Sequence, residues 1–218
     1  MDREVLHLDR YARKNNAEGE PKASNGEGQQ KMPPPPVVAC ASLSGAPCDI
    51  QGNMEAILAA MESAQQEGAD VLVLPRLCLV GATSGDMLCN RLLLDKAWQA
   101  LERIALRSGS VLTCIGLPVL MEGQCREVCA LVQKGAIQQL LPYQFPLQPL
   151  AGGDLSGKHR GIPLNAFLGV SVQGYLMELY EPGKLTLINL DDTPTLLIQP
   201  AAAPFFAGSD DVFLSKVI

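Results

Sequence analysis

The run "DVLVLP" at 70–75 limits the possible folds more than any other stretch of the chain. Between an aspartate and a proline it is apolar at every position. It lacks the alternation of a strand with one face in water, so both its faces must be covered, as in the parallel sheets of α/β proteins. Its flanks agree. Upstream, in "DIQGNMEAILAAMESAQQEGAD", Met54, Ile57, Leu58 and Met61 recur at helical spacing; Gln51 or Asn53 can cap and Gly68 can stop the helix. Downstream, "NRLLLDKAWQALERIALR" (90–107) gives a second helix with Leu94, Trp98, Leu101 and Ala105 on its inner face. With "VVACASL" before and "SVLTCIGLPV" after, the order is β-α-β-α-β.

Paired strands follow. "CREVCALVQKGAIQQLLP" reads as a hairpin turning at Lys134-Gly135. "AFLGVSVQGYLM" and "PTLLIQPAAA" are further strands, "KLTLINL" is a candidate for another, and "SDDVFLSKVI" is a short terminal helix. The class is therefore α/β with a mixed sheet. Residues 1–36 differ from the rest. They are polar and rich in Gly, Glu, Gln and Pro, and read as a disordered tail in which 2–14 form a short helix or a frayed end and 33–36 a polyproline spacer. The domain spans 37–218.

Apolar residues make up 47% of the 218 and charged residues 18%, which places the domain among globular chains. The net charge of −6 argues against nucleic acid or an anionic membrane as partner. The start carries no apolar leader segment, and no run reaches the roughly 18 apolar residues of a membrane span, so a cytoplasmic location is expected. Seven cysteines (40, 48, 78, 89, 114, 125, 129) and two histidines show no metal-ligand spacing, so no metal is expected and the thiols read as small core residues. No cofactor fingerprint is present. "AGGDLSGKHRG" (151–161) lacks the strand–loop–helix order of a phosphate loop; it reads as a surface loop with solvated His159, or as an anion-contacting one. "APFF" (203–206) reads as an interface surface.

From residue 37 to 216 the chain resembles the nitrilase, or carbon–nitrogen hydrolase, superfamily. Within it, the chain is most similar to the glutamine-hydrolysing domain of glutamine-dependent NAD synthetase. The resemblance rests on "GNMEAI" (52–57), "GADVLVLPRLCLVGATSGDML" (68–88), "GLPVLMEGQ" (116–124), "VQKGAIQQLLPY" (132–143), "LGVSVQGYL" (168–176) and "LIQPAAAPF" (197–205). It implies a four-layer α-β-β-α sandwich with mixed sheets, truncated at its C-terminus and without an ATP-pyrophosphatase domain. It also implies a glutamate base after the strand-ending proline, a lysine for the oxyanion after the hairpin, and a cysteine nucleophile past a later strand. Those places fall here on Arg76, Tyr143 and Gln173, with Gly174 and Tyr175 where an acidic pair is expected.

These exchanges remove the chemistry of amide cleavage. Guanidinium stays protonated and has no lone pair to accept a proton. A glutamine amide is no nucleophile, and a tyrosine offers one neutral hydrogen bond in place of an ammonium. Each loss costs on the order of 10²–10⁴ in rate. Cys78, two residues past Arg76 and on the same face if the strand continues, is the nearest substitute thiol, with a packed core thiol as the alternative. A buried Arg76 needs a carboxylate; the resemblance implies an asparagine bordering the site where this chain has Glu127, which makes Glu127 the first choice and Asp86 the second. The expected pocket is thus Arg76, Glu127, Asp86, Cys78 and Tyr175. The reading is an inactive domain serving as a binding or assembly subunit, in a homo-oligomer or with a nitrilase-fold protein such as an NAD synthetase. Two alternatives stand beside it: an amidase or glutaminase with a rearranged site, releasing ammonia from glutamine for NAD synthesis, and a sensor holding a small carboxylate ligand on Arg76.

Overall fold

The computed structural model describes residues 8–10, 34–43, 45–121, 123–143, 157–164, 171–179, 195–198 and 200. In it the apolar run at 70–75 becomes a central strand, β3 (Val71–Val73), with parallel neighbours on both sides: β2 (Val38–Ala41) and β4 (Leu112–Met121). The hairpin expected at Lys134-Gly135 forms from β5 (Gln124–Gln133) and β6 (Ala136–Pro142). Both turn residues have positive φ, 51° and 79°, as a two-residue turn between twisted strands requires. Antiparallel pairing joins β5 to β4. β8 (Ile162–Leu164) runs parallel to β6 and pairs with β7 (Gly157–His159), and β1 (Leu8–Arg10) pairs with β2. The resulting mixed sheet has the order β1-β2-β3-β4-β5-β6-β8-β7.

Two helices cover one face of this sheet. α1 (Ile50–Gln66) and α2 (Arg91–Leu106) bury Ile57, Ala60, Ala97, Leu101 and Ile104 against Leu72, Leu74, Ile115, Leu117, Val128 and Ala130. A buried leucine or isoleucine side chain of this kind contributes about 1.5–3 kcal/mol relative to exposure. The other face, formed by Val71, Leu112, Cys114, Cys129, Leu131, Leu141 and Tyr143, meets Val172 and Ile198 of a second sheet. That sheet contains β9 (Ser171–Val172), β10 (Tyr175–Leu179) and β11 (Thr195–Ile198) in the order β11-β10-β9. The described residues thus supply helix, sheet and sheet, three successive layers of the expected sandwich. The segments "KLTLINL", "APFF" and "SDDVFLSKVI" lie outside them.

Several local expectations are corrected. Asp49, not Gln51 or Asn53, caps α1: its side chain accepts from the Gly52 N–H at 3.0 Å. Asn90 caps α2 in the same way, accepting from Leu92 and Leu93. Leu8–Arg10, in the region read as a helix or frayed end, is strand. The described part of the loop at 151–161 belongs to the β7–β8 hairpin, where His159 is half-buried and packs edge-on against Trp98 at 5.1 Å. "AFLGVSVQGYLM" is not one strand: Gln173 and Gly174, at φ 50° and 83°, make a turn between β9 and β10.

Candidate functional site

The site lies where β3 ends. After Val73 the chain leaves the sheet at Pro75 and coils, with Val80 and Gly81 donating to the Leu77 carbonyl at 3.1 and 2.8 Å. Leu77 takes a left-handed conformation, φ 54°, which carries a strain of roughly 1–2 kcal/mol for an L residue and persists because its side chain is buried. Gly116 of β4 makes room for this coil. A Cβ there would stand 2.5 Å from the Leu77 nitrogen and 3.0 Å from the Arg76 Cα. Asn53 ties the coil to the loop before α1. It accepts from Ala46 N at 2.9 Å and donates to the carbonyls of Ala46 at 2.9 Å and Leu79 at 3.2 Å.

This coil delivers Arg76 to a carboxylate. Arg76 Nε donates to Glu127 Oε1 at 2.9 Å and Arg76 Nη2 to Oε2 at 2.7 Å, a bidentate pair. The Glu127 side chain is 2% exposed, whereas that of Arg76 is 34% exposed. Arg76 Cζ lies 4.1 Å from the centre of the Tyr143 ring, and Tyr143 N donates to the Glu127 carbonyl at 3.0 Å. The guanidinium is thus stacked on an aromatic face while gripping a carboxylate, two contacts that suit it and would not suit a lysine. The Tyr143 hydroxyl is buried without a hydrogen-bond partner among the described residues. Burial, reinforced by Cys129 and Glu127, holds its phenol far above the usual range.

The expected nucleophile position, Gln173, and two of the expected pocket residues, Tyr175 and Asp86, are elsewhere. Gln173 is exposed in its hairpin turn and donates from Nε2 to Asp70 Oδ1 at 2.6 Å. Asp70 precedes β3 and Arg76 follows it, so Gln173 and Arg76 are held at opposite ends of that strand. Tyr175 opens β10 opposite Val172, next to the same turn. Asp86 is exposed in the 3-10 turn Gly85–Cys89. Cys78 is corrected in its surroundings. Because the strand does not continue, its side chain packs among the helix-facing core residues, with Sγ donating to the Gly116 carbonyl at 3.8 Å. Burial pushes this thiol up to about 12.

Cys129, among the thiols expected in the core, also borders the site: it faces the inter-sheet space two residues from Glu127. The neighbouring Cys114 thiol, burial and the Glu127 charge all push its thiol well above the ordinary value. The alternation of β5 was the available signal, since it puts residues 127 and 129 on one face. The cluster therefore holds an acid, a cation, a phenol and a thiol. Its acid is engaged at both oxygens and its thiol resists ionisation.

No family model matches the sequence, and no curated protein matches it. Known structures do match in three dimensions. A glutamine-dependent NAD(+) synthetase from Cytophaga hutchinsonii superposes with a TM-score of 0.62 at 20% identity, over 83% of this chain and 33% of that one. This is the nitrilase-type fold. A second glutamine-dependent NAD+ synthetase with this fold, from Acinetobacter baumannii, gives 0.60 at 16% identity over 83% of this chain and 35% of that one. An amidase from Nesterenkonia sp. gives 0.53 at 18% identity over 79% and 67%. The chain thus spans about a third of the length of the synthetases, and at these identities the nitrilase-type likeness is one of architecture.

Proposed function

We propose that this chain is a carbon–nitrogen hydrolase-like domain that does not cleave amides and acts as a binding or assembly subunit in the cytoplasm. The observation that carries this reading is the bidentate lock of Arg76 on Glu127. In the resemblance described above, position 76 belongs to the base. Here it holds a permanent cation, and the carboxylate closest to it has both oxygens occupied. A base must turn toward the proton it takes, and Glu127, buried and held by the guanidinium at both oxygens, is not free to turn. Tyr143, at the place of the oxyanion lysine, is buried and neutral.

The nucleophile position gives separate support. Gln173 sits in a turn far along the strand from Arg76, so its assignment finds no support in the geometry. Residues 130–218, which include the described strands after the β5–β6 hairpin, contain no cysteine that could take its place. Cys78 and Cys129, the thiols nearest the cluster, are buried and resist ionisation. The sensor alternative has less to work with, because the Nε–Nη2 edge of Arg76 is already taken by Glu127. The partner that fits the reading is a second nitrilase-type domain, either another copy or an NAD synthetase.

The test is ammonia release from glutamine and from simple aliphatic amides by the purified full-length protein. No release above the buffer rate is expected. Steady turnover that disappears in Cys78→Ala or Cys129→Ala would overturn the reading. Light scattering of the protein, alone and mixed with the NAD synthetase of the same cell, tests the assembly half; a monomer in both samples would remove it.

A further inference from the structure

Two thiols outside the Arg76 cluster meet where the turn before α2 touches β5. Cys125, near the start of β5, is buried, and its Sγ donates to the Leu88 carbonyl at 3.2 Å. The next residue after Leu88, Cys89, is half-buried at the end of the turn, so the Cys125 sulfur lies against the peptide unit that joins Leu88 to Cys89, and the two thiols are neighbours. Both are free thiols. We infer that Cys89 and Cys125 form a reversible disulfide in the presence of a low-molecular-weight disulfide oxidant. The cross-link joins the turn that leads into α2 to the strand that carries Glu127.

Access fixes the order of events. Cys89 is reached from solvent, so its thiolate attacks one sulfur of the oxidant. The oxidant's S–S bond breaks, one small thiol leaves, and Cys89 becomes a mixed disulfide. Cys125 then gives its proton to solvent and attacks the Cys89 sulfur, and the second small thiol leaves. Two cysteines have lost two hydrogens, and the oxidant has gained them as two thiols. Cys125 cannot start the sequence, since burial and the neighbouring Cys89 push its thiol up to about 12. A second pair of neighbouring thiols, Cys114 and Cys129, has both members buried in the inter-sheet core. That pair has no exposed member to take up the oxidant and stays reduced.

The full-length protein is incubated with oxidised glutathione, quenched with N-ethylmaleimide, unfolded and mapped by peptide mass spectrometry. A peptide pair joined through Cys89 and Cys125 is expected, absent after dithiothreitol treatment. The thermal midpoint of the oxidised protein should lie about 5 °C or more above that of the reduced one, because the cross-link closes a long loop. Cys125→Ser should retain one glutathione on Cys89, and Cys89→Ser should show neither adduct nor cross-link at these positions. Should Cys125→Ser not fold, the wild-type time course decides instead: the Cys89 adduct must appear first and decay into the cross-link. An adduct on Cys89 that persists while Cys125 stays alkylatable after unfolding overturns the inference, as does a cross-link joining other cysteines.

Discussion

The two ends of β3 are both held by polar side chains, and they teach opposite lessons. At its start, Asp70 accepts from Val37 N at 2.7 Å and from Gln173 Nε2 at 2.6 Å, both bonds lying at the surface. At its end, Arg76 grips Glu127 behind the Tyr143 ring, where Glu127 is out of contact with water. The distances are alike, but the surroundings differ. Water replaces a lost partner freely at the first end and reaches the second only past the partly exposed Arg76, so similar geometry implies different energies.

Arg76→Ala gives the largest effect expected at the buried end. It leaves the buried Glu127 carboxylate without its cation; because the Arg76 side chain is itself a third exposed, water offsets part of the loss, and a cost of about 2–3 kcal/mol is expected. Urea unfolding followed by tryptophan fluorescence measures it, through Trp98. The contrast is sharpened by Arg76→Leu combined with Glu127→Leu. Removing both charges avoids the orphan, so the double variant should recover most of the loss. If Arg76→Ala costs less than 1 kcal/mol, the buried end is no different from the exposed one and the comparison fails.

Gly116→Ala attacks the same end through the backbone. The added methyl would meet the Leu77 nitrogen and the Arg76 Cα, neither of which is a flexible side-chain tip. The coil must shift, and overpacking of this kind costs about 1–3 kcal/mol. Because the shift also moves Arg76, this variant should lose part of the Glu127 coupling. A double-mutant cycle between Arg76→Ala and Gly116→Ala should therefore be non-additive, and additivity within about 0.3 kcal/mol would show that Gly116 does not position Arg76.

The contrast between the two ends also shows what a sequence reveals. β3, α1, α2 and the β5–β6 hairpin are visible in the chain because apolar period and turn residues are local signals. The cap of α1 was misread because Asp49 lies before the apolar pattern begins. Asn53 looked like a cap, yet it bonds to Ala46 and Leu79, a contact with sequence-distant loops that no window reports. That Arg76 needs a carboxylate follows from the cost of an unpaired buried cation, and that the carboxylate is Glu127 was legible only through the resemblance, which puts residue 127 beside the site. Asp86, the second choice, is exposed in the Gly85–Cys89 turn, a placement that no local pattern in the sequence fixes. The Gln173-Gly174 turn was hidden inside "GVSVQGYL", an apolar-looking run in which the turn pair is Gln-Gly and not the commoner Asn-Gly. The Cys89–Cys125 contact joins residues whose separation in sequence gives no hint of it.

The smallest effect belongs to the exposed end, and its sign carries the information. Gln173 stands at φ 50°, a conformation that asparagine tolerates better than glutamine, and Asn-Gly is the preferred pair for a turn of this shape. Gln173→Asn shortens the side chain and so gives up the bond to Asp70, which water then satisfies. The turn gains what the bond loses, and a net stabilisation of about 0.5 kcal/mol or less is expected by thermal unfolding. A loss greater than 1 kcal/mol would mean that the Gln173–Asp70 bond ties the second sheet to the first as firmly as Arg76 ties its coil to β5. In that case exposure would not be what separates the two ends of β3.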